Sequence, residues 1–190
     1  MSKPQQTASD GTGPLFERRY YIDIEQPGKS AAKLLQEIMC DVEKFSPDLL
    51  ADFRKQKGEP HELHVDDEFQ IRILGPWNGT VRVSEIGKSF FEFVTLEGHP
   101  EAGRIRFSVR RHPGRPNTIR FQIRSWARSR DGLVAFTYGT LGVGKRVQEQ
   151  TWRTFCERVA AQCGGHPAGP VVVETVERPD QGPAKVERHA

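Results

Sequence analysis

The sequence predicts one α+β domain, in which an antiparallel sheet curls around a long helix near the C-terminus. Three observations predict it. Apolar residues recur at helical spacing over residues 31–45 and again over 145–163. Between them, over 69–124, apolar and polar residues alternate, which is typical of antiparallel strands with one covered face. The chain has 190 residues, which is within the usual range for one domain.

The two ends of the chain are predicted to lie outside this domain. Residues 1–14 contain almost no apolar side chain, and residues 164–190 are rich in glycine and proline. Such segments bury too little apolar surface to offset the entropy lost on ordering. We therefore expect a disordered leader over 1–14, a folded domain over 15–163 and a flexible tail over 164–190. Whether Val171, Val172 and Val173 add a strand is left open by the sequence.

Cysteine use and hydropathy indicate a cytoplasmic protein. The cysteines are Cys40, Cys156 and Cys163, an odd number without metal or redox spacing, and two fall in predicted helices. No apolar run is long enough for a signal peptide or a membrane span. The formal net charge of +3 is too small to imply nucleic-acid binding by itself. The sequence leaves the oligomeric state open.

The first elements are a strand and a helix. Residues 16–24 are aromatic and β-branched, with Tyr20, Ile22 and Ile24 on one face, which predicts the first strand. Ser30 is placed to cap the helix whose apolar stripe runs over 31–45.

A second, short helix is predicted to begin at Ser46 and Pro47, with the serine as cap and the proline in the first turn. It would continue through Phe53. The polar residues 54–64 then predict a loop.

Five or six strands follow before the last helix. Alternation is clean over 69–73, 80–83, 104–110 and 119–124, whereas 89–96 is apolar on both faces. The last helix covers 145–163 and ends at two glycines. It is the only predicted element long enough to cover the apolar face of the sheet.

Two segments carry a resemblance to known proteins. Residues 95–103 read TLEGHPEAG, and residues 75–83 read GPWNGTVRV. With the order β-α-α-β(five or six)-α, the chain resembles the START-like, polyketide-cyclase-like superfamily, also called SRPBCC or helix-grip. GPWNGTVRV is similar to an early strand-turn-strand of that fold.

A closer resemblance is to an uncharacterised bacterial and plant family of domains of unknown function. Its pattern TL-x-GHP-E-x-GE is matched over 95–103, with Arg104 where the pattern has its last glutamate, and residues 145–148 are also similar. The resemblance implies a deep pocket, which the superfamily uses for hydrophobic ligands, lipid transport or cyclase-type chemistry.

The leading hypothesis is a domain that binds a small apolar molecule between the sheet and the last helix, without a cofactor. Tyr138 and Gln148 are candidate polar anchors, although Gln148 and Thr151 could equally lie at a frayed helix start. The residues predicted to line the pocket are Phe69, Ile71, Trp77, Phe107, Phe121, Tyr138, Gln148, Trp152 and Phe155.

A second hypothesis is an enzyme of the cyclase or aromatase type. His99 and Tyr138 are the candidate catalytic residues, because an imidazole beside the carboxylate of Glu101 can transfer protons. The alternative is that Gly98, Pro100 and Gly103 shape a hairpin turn from which His99 faces water.

A third hypothesis is an interaction module that holds an anionic partner. Arginines recur on one face of two strands that could be neighbours, and together they would form an anion-binding face. The residues are Arg104, Arg106, Arg110, Arg120, Arg124 and Arg128. Nucleic acid is disfavoured because Trp126 is the sole interleaved aromatic residue, and a solvated outer face is the alternative.

Metal and nucleotide sites are not predicted. His61 and His64 lie near Asp66 and Asp67 but without a third ligand at fixed spacing. Residues 139–145 read GTLGVGK but lack the ending of a phosphate loop.

Overall fold

The computed structural model describes residues 3–47, 51–73, 78–131 and 143–190. A short 3₁₀ turn, Ala8–Asp10, precedes the first strand. The elements are β1 (Thr12–Glu25), α1 (Ala31–Cys40), α2 (Val42–Phe45), β2 (Ala51–Lys57), β3 (Glu68–Ile73), β4 (Gly79–Gly87), β5 (Phe90–Thr95), β6 (Glu101–Arg111), β7 (Thr118–Ser129), α3 (Val143–Cys163), β8 (His166–Pro167), β9 (Val172–Arg178) and β10 (Lys185–His189).

The described strands form one curved sheet in which every paired strand is antiparallel to its neighbour. Its order is β10-β9-β1-β7-β6-β5-β4-β3-β2, and β8 pairs with β1 beside this path. Six strands, β2 to β7, separate the two short helices from α3. The predicted fold class, an antiparallel sheet around a long C-terminal helix, is confirmed.

Sequence periodicity explains the faces of β1 and α1. Tyr20, Ile22 and Ile24 alternate along β1 and are buried. The hydroxyl of Ser30 accepts a hydrogen bond from the backbone N–H of Lys33, 3.2 Å away, and so caps α1 as predicted. The stripe of α1 packs against the same face of the sheet.

Aromatic rings fill the centre of the space between sheet and helix. The ring of Phe107 stacks on Phe91 with 4.9 Å between centroids, and Phe121 stacks on Phe155 at 5.8 Å. All four rings are fully buried. The centre is therefore core, and a cavity lies towards one end of α3.

The predicted second helix is wrong in its bounds. The helix α2 lies earlier, begins after the cap Asp41 and ends at Phe45. Residues 51–57 instead form β2, paired with β3, and Phe53 points into the core. This segment is too short for its periodicity to distinguish helix from strand, and pairing with β3 decides the outcome.

The predicted domain bounds are also too narrow. The supposed flexible tail contains β9, which pairs with β1 from Leu15–Arg178 to Tyr21–Val172, and Val171 and Val173 are each 2% exposed. Apart from Pro167 of the two-residue β8, the glycines and prolines of this segment lie between strands. The average composition therefore did not reveal the strand β9, which covers the edge of β1. In the supposed leader, Gln5 bridges to Leu96, and β1 already begins at Thr12.

Among the described residues, no helix is long and apolar enough to cross a membrane.

Candidate ligand-binding site

A cavity of about 70 Å³ lies between the sheet and the N-terminal half of α3. It has room for several water molecules or for the end of a small organic molecule. Its apolar wall is formed by Phe53, Ile71, Val81, Ile105, Ala127 and Trp152. Its polar lining residues are Thr95, His99, Glu101, Ser125, Gln148 and Thr151. The polar end is the part of the cavity where Glu101 contacts both His99 and Gln148.

The nine predicted pocket residues divide into three groups. Ile71, Gln148 and Trp152 line this cavity. Trp77 and Tyr138 lie outside the described residues. The other four pack in the aromatic core rather than around the cavity: Phe69, Phe107, Phe121 and Phe155. The space is therefore narrower than the predicted deep pocket, because large rings occupy its centre.

Glu101 is the residue around which the polar end is built. It is the first residue of β6, and its carboxylate lies 3.3 Å from the guanidinium of Arg18. The amide nitrogen of Gln148 donates to the same carboxylate at 3.1 Å. The side chains of Arg18 and Glu101 are 7% and 19% exposed, so this ion pair is largely buried.

No role for Arg18 is predicted from the sequence, and Glu101 is predicted only as a partner for His99. A signal for Arg18 was present, since it shares the parity of Tyr20, Ile22 and Ile24 and therefore faces the interior. An arginine on the covered face of a strand requires a buried partner, and here that partner is Glu101.

His99 is buried beside the cavity, so the alternative in which it faces water is wrong. Its Nδ1 lies 3.0 Å from the backbone nitrogen of Glu101 and 2.9 Å from the backbone oxygen of the same residue. The backbone N–H can only donate and the backbone oxygen can only accept, so Nδ1 faces one group of each kind and these two contacts fit either neutral tautomer. Gly79 makes room for the ring, since a Cβ there would overlap it.

Burial keeps this imidazole neutral. Desolvation lowers the pKa of His99 from its ordinary value of 6.5, and the nearby charge and backbone of Glu101 oppose the shift without cancelling it. His99 therefore presents a neutral ring near pH 7.

The N-terminal segment fixes the turn that carries His99 and Glu101. The side-chain nitrogen of Gln6 donates to the backbone oxygens of His99 and Glu101, at 2.8 and 2.9 Å. The hydroxyl of Thr95 donates to the backbone oxygen of Gln6 at 2.7 Å. Residues assigned by composition to a disordered leader thus position the polar end of the cavity.

One acceptor at the polar end is unused. The side-chain oxygen of Gln148 is buried and accepts no hydrogen bond from the part of the chain that the structure describes. Thr151 does not supply one, because its hydroxyl donates to the backbone oxygen of Val147 at 2.8 Å. A buried acceptor without a partner is uncommon in folded proteins and marks a place where a donor from outside can bind.

Carboxylates neutralise most of the predicted anion-binding face. Arg120 binds Asp23 with two hydrogen bonds of 2.7 and 2.8 Å, and Arg106 contacts Glu85 and Glu92 at 2.9 and 2.8 Å. The remaining pairs are Arg124 with Glu17, Arg128 with Asp180, and Arg104 with Glu92 at 3.8 Å. Arg110 has no ion pair within the described ranges.

The ion pair with Arg120 lowers the pKa of Asp23. Burial raises this pKa, but the hydrogen bonds and charge of Arg120 outweigh burial and hold it below its ordinary value. The face is a lattice of salt bridges across β1, β7, β6 and β5, not an array of unpaired cations.

The histidine–aspartate loop does not assemble a metal site. Within the described residues, no three histidine, cysteine, aspartate or glutamate side chains lie together in a way that could hold a metal ion. The side chain of His64 instead lies 3.4 Å from that of Glu62.

The curved antiparallel sheet and the long C-terminal helix define a helix-grip fold. Residues 44–158 match the family described as Domain of unknown function (DUF1990), and the chain belongs to that family. No curated protein matches this chain in sequence.

Solved structures of other proteins have a similar fold. A hypothetical protein from Helicobacter pylori is 8% identical with a TM-score of 0.55, over 76% of this chain and 86% of that one. The di-domain ARO/CYC protein StfQ of the steffimycin biosynthetic pathway is 11% identical with a TM-score of 0.54, over 82% of this chain and 52% of that one. Norcoclaurine synthase from Thalictrum flavum, in complex with dopamine and hydroxybenzaldehyde, is 6% identical with a TM-score of 0.50, over 82% and 91%. At these identities the likeness concerns the fold alone.

Proposed function

We propose that this domain binds a small, largely apolar molecule in the cavity between the sheet and α3. The observation that carries the proposal is the cavity itself, with an apolar wall on one side and converging polar groups at one end. Such a combination is typical of small-molecule sites, where apolar contacts supply affinity and a few polar groups fix orientation. The complex of norcoclaurine synthase with two small aromatic molecules supports the proposal at the level of the fold.

Native mass spectrometry of gently purified protein, compared with the same sample denatured, tests this proposal. We expect an added mass that is lost on denaturation. Ala127→Leu should reduce or abolish it, because Ala127 lines the cavity and a larger side chain would fill the space. The matched control is Ala161→Leu on the exposed side of α3, which should retain the mass. An added mass retained equally by both variants would contradict the proposed location.

A second candidate is a cyclase-type enzyme that uses His99, because His99 is buried beside the cavity with its ring held by the backbone of Glu101. With the proton on Nε2, the neutral ring would donate a hydrogen bond to a carbonyl oxygen that gains charge during reaction. If the molecule found by mass spectrometry changes mass on incubation, His99→Asn should slow that change at least tenfold. An unchanged rate would remove His99 from the chemistry.

The proposed location is the cytoplasm. All three cysteines are free thiols, and burial raises the pKa of Cys156 and of Cys163. Protonated, buried thiols suit a reducing compartment.

A further inference from the structure

The unused hydrogen-bonding groups at the polar end point to one class of ligand. We infer that the cavity selects an apolar molecule that bears a neutral hydroxyl group, a phenol or an alcohol, over the matching carboxylate. This inference rests on the proposed function, since it concerns the polar end of the same cavity.

The charge at the polar end is already balanced. Glu101 lines the cavity, whereas its partner Arg18 is not among the residues that line it. A ligand carboxylate would therefore approach the carboxylate of Glu101 in a poorly solvated place, where repulsion is strong. A ligand cation would be desolvated to reach a carboxylate that Arg18 already neutralises, and it would gain little.

The unused groups are the side-chain oxygen of Gln148 and the Nε2 atom of His99. The side-chain oxygen of Gln148 is a buried acceptor without a partner in the described ranges. The Nε2 atom of His99 makes no hydrogen bond among the described residues, and it donates or accepts according to the tautomer of the ring. A hydroxyl can donate to Gln148 and can also accept from Nε2 when that atom carries the ring proton, whereas a carboxylate cannot donate and an ammonium cannot accept. Because burial keeps His99 neutral, it adds no positive charge that would favour an anion.

The size of the cavity limits the end of the ligand that enters it. A volume of about 70 Å³ suits a hydroxyl group and part of a single ring, not a fused ring system. Suitable probes therefore carry one ring.

The test uses three one-ring probes that differ in one substituent: p-cresol, toluene and p-toluate. Their dissociation constants are measured at pH 7 by titration of the ¹⁵N-labelled protein, followed by amide chemical shifts. We expect p-cresol to bind about tenfold more tightly than toluene, and p-toluate to bind at least about tenfold more weakly than p-cresol.

Gln148→Leu should remove the preference, so that p-cresol and toluene bind alike. Unchanged toluene binding by this variant shows that the cavity has kept its shape. Gln150→Leu is the matched control, because Gln150 is exposed two residues away on α3, and it should keep the tenfold preference.

The outcomes separate this inference from the proposed function. Equal binding of toluene and p-cresol to the unaltered protein would overturn the hydroxyl preference while leaving an apolar cavity that binds ligands. Tightest binding of p-toluate would overturn it in favour of anion recognition through Arg18. Failure of all three probes to bind would contradict the proposed function as well.

Discussion

Glu101 joins three parts of the chain that are far apart in sequence. Its carboxylate contacts Arg18 of β1 and Gln148 of α3, and its backbone fixes the ring of His99. In this poorly solvated place each group depends on its partner, because an unpaired buried charge is strongly unfavourable. The polar end is therefore a single network, and changes to its members should not be additive.

Removal of one charge from this network should cost more stability than removal of both. Glu101→Leu leaves Arg18 buried without a counterion and should lower the free energy of unfolding by about 3–5 kcal/mol. The double variant Arg18→Met/Glu101→Leu should recover much of that loss, as measured by urea unfolding. If the double variant loses the sum of the two single losses, the two side chains do not act as a pair.

His99 should make stability fall in mild acid. Its pKa in the folded state lies below 6.5, so the unfolded chain binds the proton more readily. Its contribution is therefore fully present above about pH 6.5 and is lost as pH falls towards the folded pKa, at no more than about 1.4 kcal/mol per pH unit. His99→Asn should flatten this part of the curve of unfolding free energy against pH. An identical acid slope in the variant would contradict a buried, neutral imidazole.

At the scale of elements, the periodicity of apolar residues predicted the regular helices and strands. Each regular element buries one face, so its apolar residues recur at the period of a helix or a strand. This spacing predicted the helices α1 and α3 and the strands β3, β4, β6 and β7. The strands β2 and β9 were not predicted: β2 is held by its pairing with β3 across a polar loop, and β9 by its pairing with β1 at the other end of the sequence. Pairing of that kind leaves little trace in local composition.

The same division applies to the candidate site. Ile71, Gln148 and Trp152 were predicted because they lie on the covered faces of regular elements. Arg18 was missed because a charged residue in a strand is usually assigned to the wet face. The large phenylalanines were assigned to a pocket wall because the sequence predicts that their side chains face the interior. It does not predict how completely these rings fill that interior.

The strand β9 should be essential to the fold. A chain that ends at Gly165 lacks β9 and the buried valines Val171 and Val173, and should lose about 3–6 kcal/mol of unfolding free energy. A chain that ends at Gly182 keeps β9 and lacks β10, whose residues are all exposed, and should lose far less. Thermal unfolding of the two truncations against the full chain measures the difference. Equal stability of the full chain and the chain ending at Gly165 would instead support the prediction of a flexible tail.

At the scale of the whole molecule, the outer face and the interior have different roles. Outside, arginines and carboxylates alternate between neighbouring strands and compensate one another. Inside, an aromatic core fixes the sheet against α1 and α3 and leaves a cavity beside the N-terminal half of α3. This contrast favours a ligand in the interior over a partner on the arginine-bearing face.

The outer face should therefore bind anionic polymers weakly. We expect no retention on heparin at 150 mM salt (roughly physiological ionic strength), because most of the arginines are neutralised by neighbours. Reversal of the charge of Asp23 and Glu92 to lysine should increase retention, which serves as the positive control. Tight binding by the unaltered protein with steep salt dependence would instead revive the anion-binding hypothesis.

The most direct test of the central claim is to map where a small apolar probe binds. Amide chemical shifts recorded during a titration with p-cresol should change mainly at Thr95, Gly103, Ala127 and Thr151, all of which line the cavity. Changes concentrated in the separate groove formed by residues 27–31, 111–112 and 115–119, or no changes at all, would contradict the proposed binding site.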